Sequence, residues 1–230
     1  LFSEGPREYD FLLKILSLGR DRYWRQSIIQ EAGVEKGDSV LDIACGTGLV
    51  SFEFGARGAT VVGVDVTREM LYRALILYKK EFPNQDINFI QARAENLPIK
   101  SDSFACSTIS LATRNVTNVS TTFSEMTRCV KNGGSVLSMD FTRPVGKIFS
   151  PFYDFYIFHI LPAMGLIISR HWNGIFSYLA NSIKRSKTPE QVSQIMQSIG
   201  LSNTKIQRMT RGVTALVTGK KISEYSISVM

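Results

Sequence analysis

The chain has 230 residues, enough for one α/β domain with a sizeable core and too few for two ordinary domains. Hydrophobic residues at 44% and charged residues at 20% exclude a disordered or fibrous chain. The net charge of +7 is one-sided, with 16 Lys+Arg against 17 Asp+Glu in residues 1–140 and 11 against 3 in residues 141–230, so the C-terminal part is either a solvated basic surface or the face that meets an anionic partner.

From Arg7 to Ala32, Phe11, Leu12, Ile15 and Leu16, then Trp24, Ile28 and Ile29, recur at helical spacing on either side of Gly19, which predicts two helices. Short β-branched runs predict strands at 39–43, 60–65, 87–91, 105–110 and 135–140. Helices are predicted between them at 49–56, 68–81 and 119–130, the last capped by Asn132-Gly133. Strand and helix alternating in this way predict a mostly parallel sheet with right-handed crossovers and helices on both faces. Residues 141–187 fit no βα unit and are unusually aromatic, so they are read as an insertion. Thr188-Pro189-Glu190-Gln191 then has the form of a helix start, with Val192, Ile195, Met196 and Ile199 on one face and Gly200 as the stop. Two final strands are expected at 204–209 and 213–219. The whole reads as one domain over 1–230: N-terminal helices (1–35), a βα core (36–140), an aromatic insertion (141–187) and a last helix with terminal strands (188–230).

Cys45, Cys106 and Cys129 are odd in number and lack C-x-x-C spacing, and only His159 and His171 are present. Reduced core thiols and no metal site are expected. The apolar stretch 148–168 is broken by Asp154, His159 and Pro162 and does not read as a membrane span. No signal peptide is visible, although the chain starts at Leu1 without Met, which leaves open that residues were trimmed before it; the reduced thiols are what lead to the expectation of a cytoplasmic protein.

The segment Leu41-Asp42-Ile43-Ala44-Cys45-Gly46-Thr47-Gly48 runs from a strand through a glycine turn into a helix, which marks a ligand site at the carboxyl edge of a parallel sheet. Ser51 occupies the position where a dinucleotide fingerprint has its third glycine. The next strand, Val61-Val62-Gly63-Val64-Asp65, ends in a carboxylate suited to a ribose diol. A nucleoside-type ligand is therefore expected.

Together with Gln91-Ala92-Arg93-Ala94-Glu95 after the third strand, these segments resemble the order of the class I S-adenosylmethionine-dependent methyltransferases. The resemblance implies a Rossmann-like α/β fold with a seven-stranded sheet whose final strand is antiparallel. It also implies S-adenosyl-L-methionine as cofactor, S-adenosyl-L-homocysteine as product, and a binding set of Asp42, Ala44, Gly46, Thr47, Gly48, Asp65, Val66, Arg93, Ala94 and Ser110. Arg93 stands where that class often has an acidic or amide side chain, so the Ala94 N–H is the expected reader of adenine. Ala44 stands where many members have glycine.

Ser110-Leu111-Ala112-Thr113-Arg114-Asn115-Val116-Thr117, Asp140-Phe141-Thr142-Arg143-Pro144, Tyr153 to Pro162, Tyr178 to Ile183 and Thr210-Arg211-Gly212-Val213 resemble the ubiquinone/menaquinone biosynthesis C-methyltransferase family. That resemblance runs from Tyr9-Asp10 to Gly219 and implies methylation of a lipophilic polyprenyl quinol. A quinol carbon becomes nucleophilic as the neighbouring hydroxyl loses its proton, so the site must hydrogen-bond that hydroxyl and stabilise developing charge. Arg114 and Asn115 are expected in those roles, with Asp140, Tyr156 and His159 as further catalytic candidates. Phe149, Phe152, Phe155, Phe158, Ile160, Leu161, Met164, Leu166 and Ile167 are expected to wall a prenyl pocket, to cover the cofactor site as a lid, or to pack a core.

Lys184, Arg185 and Lys187 beside this insertion suit transient contact with an anionic membrane surface. A homodimer is allowed but not specified. Three rivals stay open: a methyltransferase for a phenol, sterol or amine, a catalytically silent scaffold, and a nucleic-acid-binding protein. The last is disfavoured because the aromatics are not interleaved with Lys or Arg, so no nucleic acid is expected as a partner.

Overall fold

A computed structural model describes residues 13–222 apart from 18, 145, 148 and 169; Arg7 to Leu12, with most of the first predicted helix, lie outside the described residues. Residues 13–16 are helical, Gly19 adopts φ +74°, and α1 (Asp21–Ala32) ends on Gly33 in the left-handed region. Six elements follow in alternation: β1 (Ser39–Ile43), α2 (Leu49–Gly55), β2 (Thr60–Asp65), α3 (Arg68–Glu81), β3 (Ile87–Gln91) and β4 (Phe104–Ser110). The chain continues through α4 (Val119–Cys129) into β5 (Val130–Phe141). Helices α5 (Phe149–Phe155), α6 (Leu161–Ile168) and α7 (Arg170–Arg185) come next, with a π turn Tyr156–Ile160 joining the first two. The chain closes with α8 (Pro189–Ser198), β6 (Leu201–Met209) and β7 (Thr214–Lys221).

The seven strands form one sheet in the order β3-β2-β1-β4-β5-β7-β6. Every pair from β3 across to β5 is parallel, and β7 runs antiparallel to both β5 and β6. The order reverses at β1, so the β1 and β4 tips border the crevice where open α/β sheets bind ligands. Alternating side chains divide the core in two. Val40, Val61, Leu137, Met139, Phe141 and Leu216 meet α1, α2 and the inserted helices, with Trp24, Phe54 and Phe176 fully buried among them. Leu41, Ile43, Val64, Ile109, Val136 and Val217 meet α4 and α8 through Phe123, Met126 and Met196.

The predicted cap at Asn132-Gly133 is corrected by the structure. Helix α4 stops at Cys129, because Val130 is already extended and pairs with Phe104. Gly133, at φ +81°, turns the chain inside β5, and a side chain on Gly134 would meet the Ala105 carbonyl at 2.5 Å. Strand β6 likewise starts at Leu201, ahead of position 204, by way of a register shift around Asn203 (φ +50°). The Thr188 cap forms as its sequence predicts, with the Thr188 and Gln191 side chains each bonding the other's backbone N–H. Cys45, Cys106 and Cys129 are free thiols. None of the described helices is long and apolar enough to cross a membrane.

Candidate active site

A cavity of about 280 Å³ opens at the carboxyl tips of β1, β2, β4 and β5. Its floor is the turn after β1, where Ala44, Gly46 and Gly48 take φ of +52°, +56° and +84°. A Cβ on Gly46 would meet nothing within 4 Å, so the backbone faces open space there. A Cβ on Gly48 would meet the Phe52 ring at 2.9 Å. Gly48 is thus required by its φ and by helix packing, and it does not line the cavity.

Two buried carboxylates face this turn. Asp65 Oδ2 accepts the Gly46 N–H at 2.9 Å and Oδ1 accepts the Thr67 N–H at 2.8 Å, which fixes the β1 turn to the β2 tip. Burial raises the Asp65 pKa, and these backbone donors oppose the rise. Asp42 is 1% exposed and accepts the Ser51 hydroxyl at 2.6 Å. Burial pushes it up to about 7, the Ser51 hydrogen bond opposes, and the Asp65 charge adds. Two carboxylates held in a poorly solvated cleft suit a ligand that brings positive charge.

Beyond β3, Arg93, Ala94 and Glu95 form one rim. Glu95 Oε1 accepts the Thr117 N–H at 2.7 Å, and Arg93 Nη2 donates to Thr117 Oγ1 at 3.1 Å, so this rim is joined to the loop after β4. On the opposite side of β1, the cavity is lined by Ser110, Leu111, Ala112, Asn115, Val116 and Met139. Leu111 is in the left-handed region at φ +55°, a strained conformation for leucine. Its N–H bonds the Met139 carbonyl, and its own carbonyl accepts Arg114 Nη1 at 2.5 Å.

Among the predicted site residues, Asp42, Ala44, Gly46, Thr47, Asp65, Val66, Arg93, Ala94, Ser110 and Asn115 line this one cavity. Arg114, Asp140, Tyr156 and His159 do not. The Arg114 side chain is 3% exposed; it is paired with Asp140, donates from Nε to Ser182 at 3.2 Å and lies over the Phe141 ring. Asp140 also accepts the Arg114 and Phe141 N–H groups at 3.0 and 2.8 Å. These two therefore tie the 3₁₀ turn Thr113–Asn115 to the tip of β5 and to α7. Asn115 Oδ1 accepts the Tyr178 hydroxyl of α7 at 3.0 Å. Tyr156 packs half-buried against the core, and His159 is exposed with its ring 5.4 Å from that of Phe155.

Sequence reasoning missed the wall formed by Leu13, Asp21, Trp24 and Arg25. Asp21 accepts Arg25 Nη1 at 2.7 Å and the Ser17 hydroxyl at 3.3 Å. Trp24 donates to Thr210 Oγ1 at 2.8 Å and meets Phe141 edge-on, which seats α1 against the β5 and β7 tips. The available signal was the pair Asp21/Arg25 at i, i+4 beside a tryptophan, which also fits an ordinary surface pair.

The described residues contain no group of His, Cys, Asp or Glu able to hold a metal ion. An adenosyl sulfonium fits what is present: a carboxylate at the β2 tip for a ribose diol, an open backbone turn, and Asp42 beside it. The fold agrees with that chemistry. A putative S-adenosyl-L-methionine-dependent methyltransferase from Methanococcus maripaludis superposes with a TM-score of 0.69 at 18% identity, over 100% of this chain and 97% of that one. A Haemonchus contortus phosphoethanolamine N-methyltransferase 2, solved with phosphomonomethylethanolamine and S-adenosylhomocysteine, gives 0.66 at 16% identity over 87% of this chain and 53% of that one. The fold is that of the S-adenosylmethionine-dependent methyltransferases. The sequence narrows this, since residues 1–221 match the ubiE/COQ5 methyltransferase family. Two relatives named ubiquinone/menaquinone biosynthesis C-methyltransferase UbiE, from Francisella philomiragia and Marinomonas sp., are 35% and 34% identical over 229 residues, covering 96% of this chain and 89% of each relative. The chain belongs to the ubiE/COQ5 methyltransferase family.

Proposed function

We propose that the protein methylates a ring carbon of a reduced polyprenyl quinol, a demethylmenaquinol or a ubiquinol precursor. The observation that carries this reading is the 35% identity to a quinone-biosynthesis C-methyltransferase over 96% of the chain. When bound, S-adenosylmethionine supplies an electrophilic methyl group on a sulfonium. Asp65 would take the ribose diol, the turn Ala44 to Thr47 the methionyl part, and Ala94 the adenine edge.

The acceptor side is apolar where Leu13, Trp24, Leu111, Ala112 and Met139 face the cavity, which suits a naphthalene or benzene ring. Asn115 presents an amide there, held by Tyr178, and is suited to orient a ring hydroxyl. Asp21 is the carboxylate of this wall and is suited to take the hydroxyl proton, directly or through one water. Arg114 acts at one remove, pinning the strained Leu111 carbonyl and the Asn115 turn through Asp140 and Ser182. Tyr156 and His159 take no part in this reading.

Residues 141–187 back the acceptor side through Tyr178 and Ser182, and the basic C-terminal part draws a cytoplasmic protein to anionic membranes that hold its acceptor. The test is transfer from methyl-labelled S-adenosylmethionine to demethylmenaquinol and to the matching benzoquinol under reducing conditions. One of the two rings is expected to be methylated. If neither is, while the cofactor binds, the substrate reading is lost.

A further inference from the structure

Among the described residues, none of the inserted aromatics lines the cavity; Phe149, Tyr153, Tyr156 and Phe158 pack in or against the core instead. Residues 149–168 form one continuous helical rod in which Tyr153, Ile157, Leu161 and Gly165 are buried. A four-residue step overshoots a 3.6-residue turn by about 40°, so an α-helix would carry these four off the core. The π turn removes that drift: Leu161 N–H bonds the Tyr156 carbonyl five residues back. Pro162, next in line, has no N–H to offer Phe158, which favours the wider turn there. A Cβ on Gly165 would lie 2.6 Å from Asn173 Cα, so α6 and α7 touch backbone to backbone and the rod cannot rotate.

The outward side of the rod is therefore fixed, and apart from exposed His159 its large exposed side chains are apolar. Phe152, Phe155, Leu166 and Ile167 are 71, 57, 65 and 86% exposed, with Ile160 at 39% between them. Exposed apolar residues set singly need no explanation, but a row of them along one rod does. Residues 141–187 hold six Lys or Arg and one acidic residue, Asp154, which is paired with Arg143. Exposed Lys147 precedes the rod, and Arg211 lies over Phe149 at 5.6 Å.

We propose that this ridge is the surface on which the protein docks to an anionic lipid bilayer, Phe152, Phe155, Leu166 and Ile167 entering the acyl boundary and the basic groups meeting headgroups. The purpose of docking rests on the quinol reading; the surface itself stands on exposure and charge. A protein partner with an acidic groove would match the charge, but several large apolar groups exposed along one rod beside Lys147 and Arg211 fit a lipid surface better. The ridge also lies on the segment whose neighbour α7 bonds Arg114 and the cavity-lining Asn115.

Flotation of the full chain with vesicles of phosphatidylcholine, and of phosphatidylcholine with phosphatidylglycerol, tests this. Binding is expected on the anionic vesicles and should weaken with salt. The double substitution Leu166→Ser, Ile167→Ser should lower that partition about tenfold or more, with unchanged melting temperature and S-adenosylhomocysteine affinity because both side chains are exposed. Failure of the unaltered chain to bind anionic vesicles overturns the proposal. Undiminished binding by the double variant also overturns it, as does self-association that the same substitutions abolish in the absence of any vesicle binding. No methyl acceptor is needed, so a failed flotation leaves the quinol reading standing, and failure to methylate either quinol leaves the flotation result intact.

Discussion

Replacing Asp42 by Asn should stabilise the cofactor-free protein while weakening its hold on the cofactor. The native Asp42 carboxyl is pushed by burial from 3.8 up to about 7, whereas the unfolded chain loses that proton at the ordinary value. A raised acid stabilises the fold only while it stays protonated. Stability is therefore full below about pH 4, falls as pH rises toward 7, and stays low above it. The gap of about 3 pH units corresponds to roughly 4 kcal/mol at pH 8, with partial relaxation reducing it. Asparagine keeps an acceptor for the Ser51 hydroxyl and removes the charge. The difference in melting temperature between Asp42→Asn and the unaltered protein should be near zero at pH 4. It should grow to several degrees by pH 8, given roughly 2–4 °C per kcal/mol for a chain of this size. Saturating S-adenosylmethionine, which brings positive charge to the carboxylate, should shrink or reverse the gap. A difference that does not vary with pH, or an Asn variant that is less stable at pH 8, would refute the reasoning.

Ala44→Gly should raise stability by about 1 kcal/mol, because Ala44 sits at φ +52°, where only glycine avoids the Cβ clash; chemical denaturation reads this directly. Asp65→Ala should weaken S-adenosylhomocysteine binding about 100-fold or more, by removing the diol acceptor and freeing the Gly46 amide, as calorimetry would show. Arg114→Ala should lower kcat with cofactor affinity nearly intact, and Asp140→Asn should share that loss, so the double variant is no worse than the worse single one; additive losses would separate the two residues. Asp21→Asn should lower kcat by 10²-fold or more with cofactor affinity nearly intact, as turnover and calorimetry together would show. An unchanged kcat assigns the hydroxyl proton elsewhere.

The sheet was legible because its information is local. Strands β1, β2 and β3 and helix α3 fall on the predicted residues, each a short β-branched or 3.6-periodic run closed by glycine, carboxylate or cap. The order β1, glycine turn, α2, β2, Asp65 likewise lies within 27 consecutive residues, 39–65, so spacing along the chain brings these groups to one sheet edge. Residue identity along the chain fixes what a strand tip carries. Which side chain reaches the crevice from elsewhere is decided by packing.

Arg114 reads in sequence as a cation aimed at substrate, yet Asp140, Ser182 and the Leu111 carbonyl, which are distant or local by turns, hold it inside the wall. Asp21 and Trp24 reach the cavity only because Trp24 is bonded to Thr210, 186 residues away. The insertion shows the same division. Its aromatic composition was plain, but which rings face inward depends on a π turn at Pro162 and a backbone contact at Gly165, neither of which hydrophobic periodicity encodes. The sequence by itself determined the strands, the glycine turn and Asp65, because each depends on neighbours within a few residues. Tertiary structure alone decided the wall of Leu13, Asp21, Trp24 and Arg25 and the outward ridge, because both depend on contacts between segments that the chain brings together only on folding.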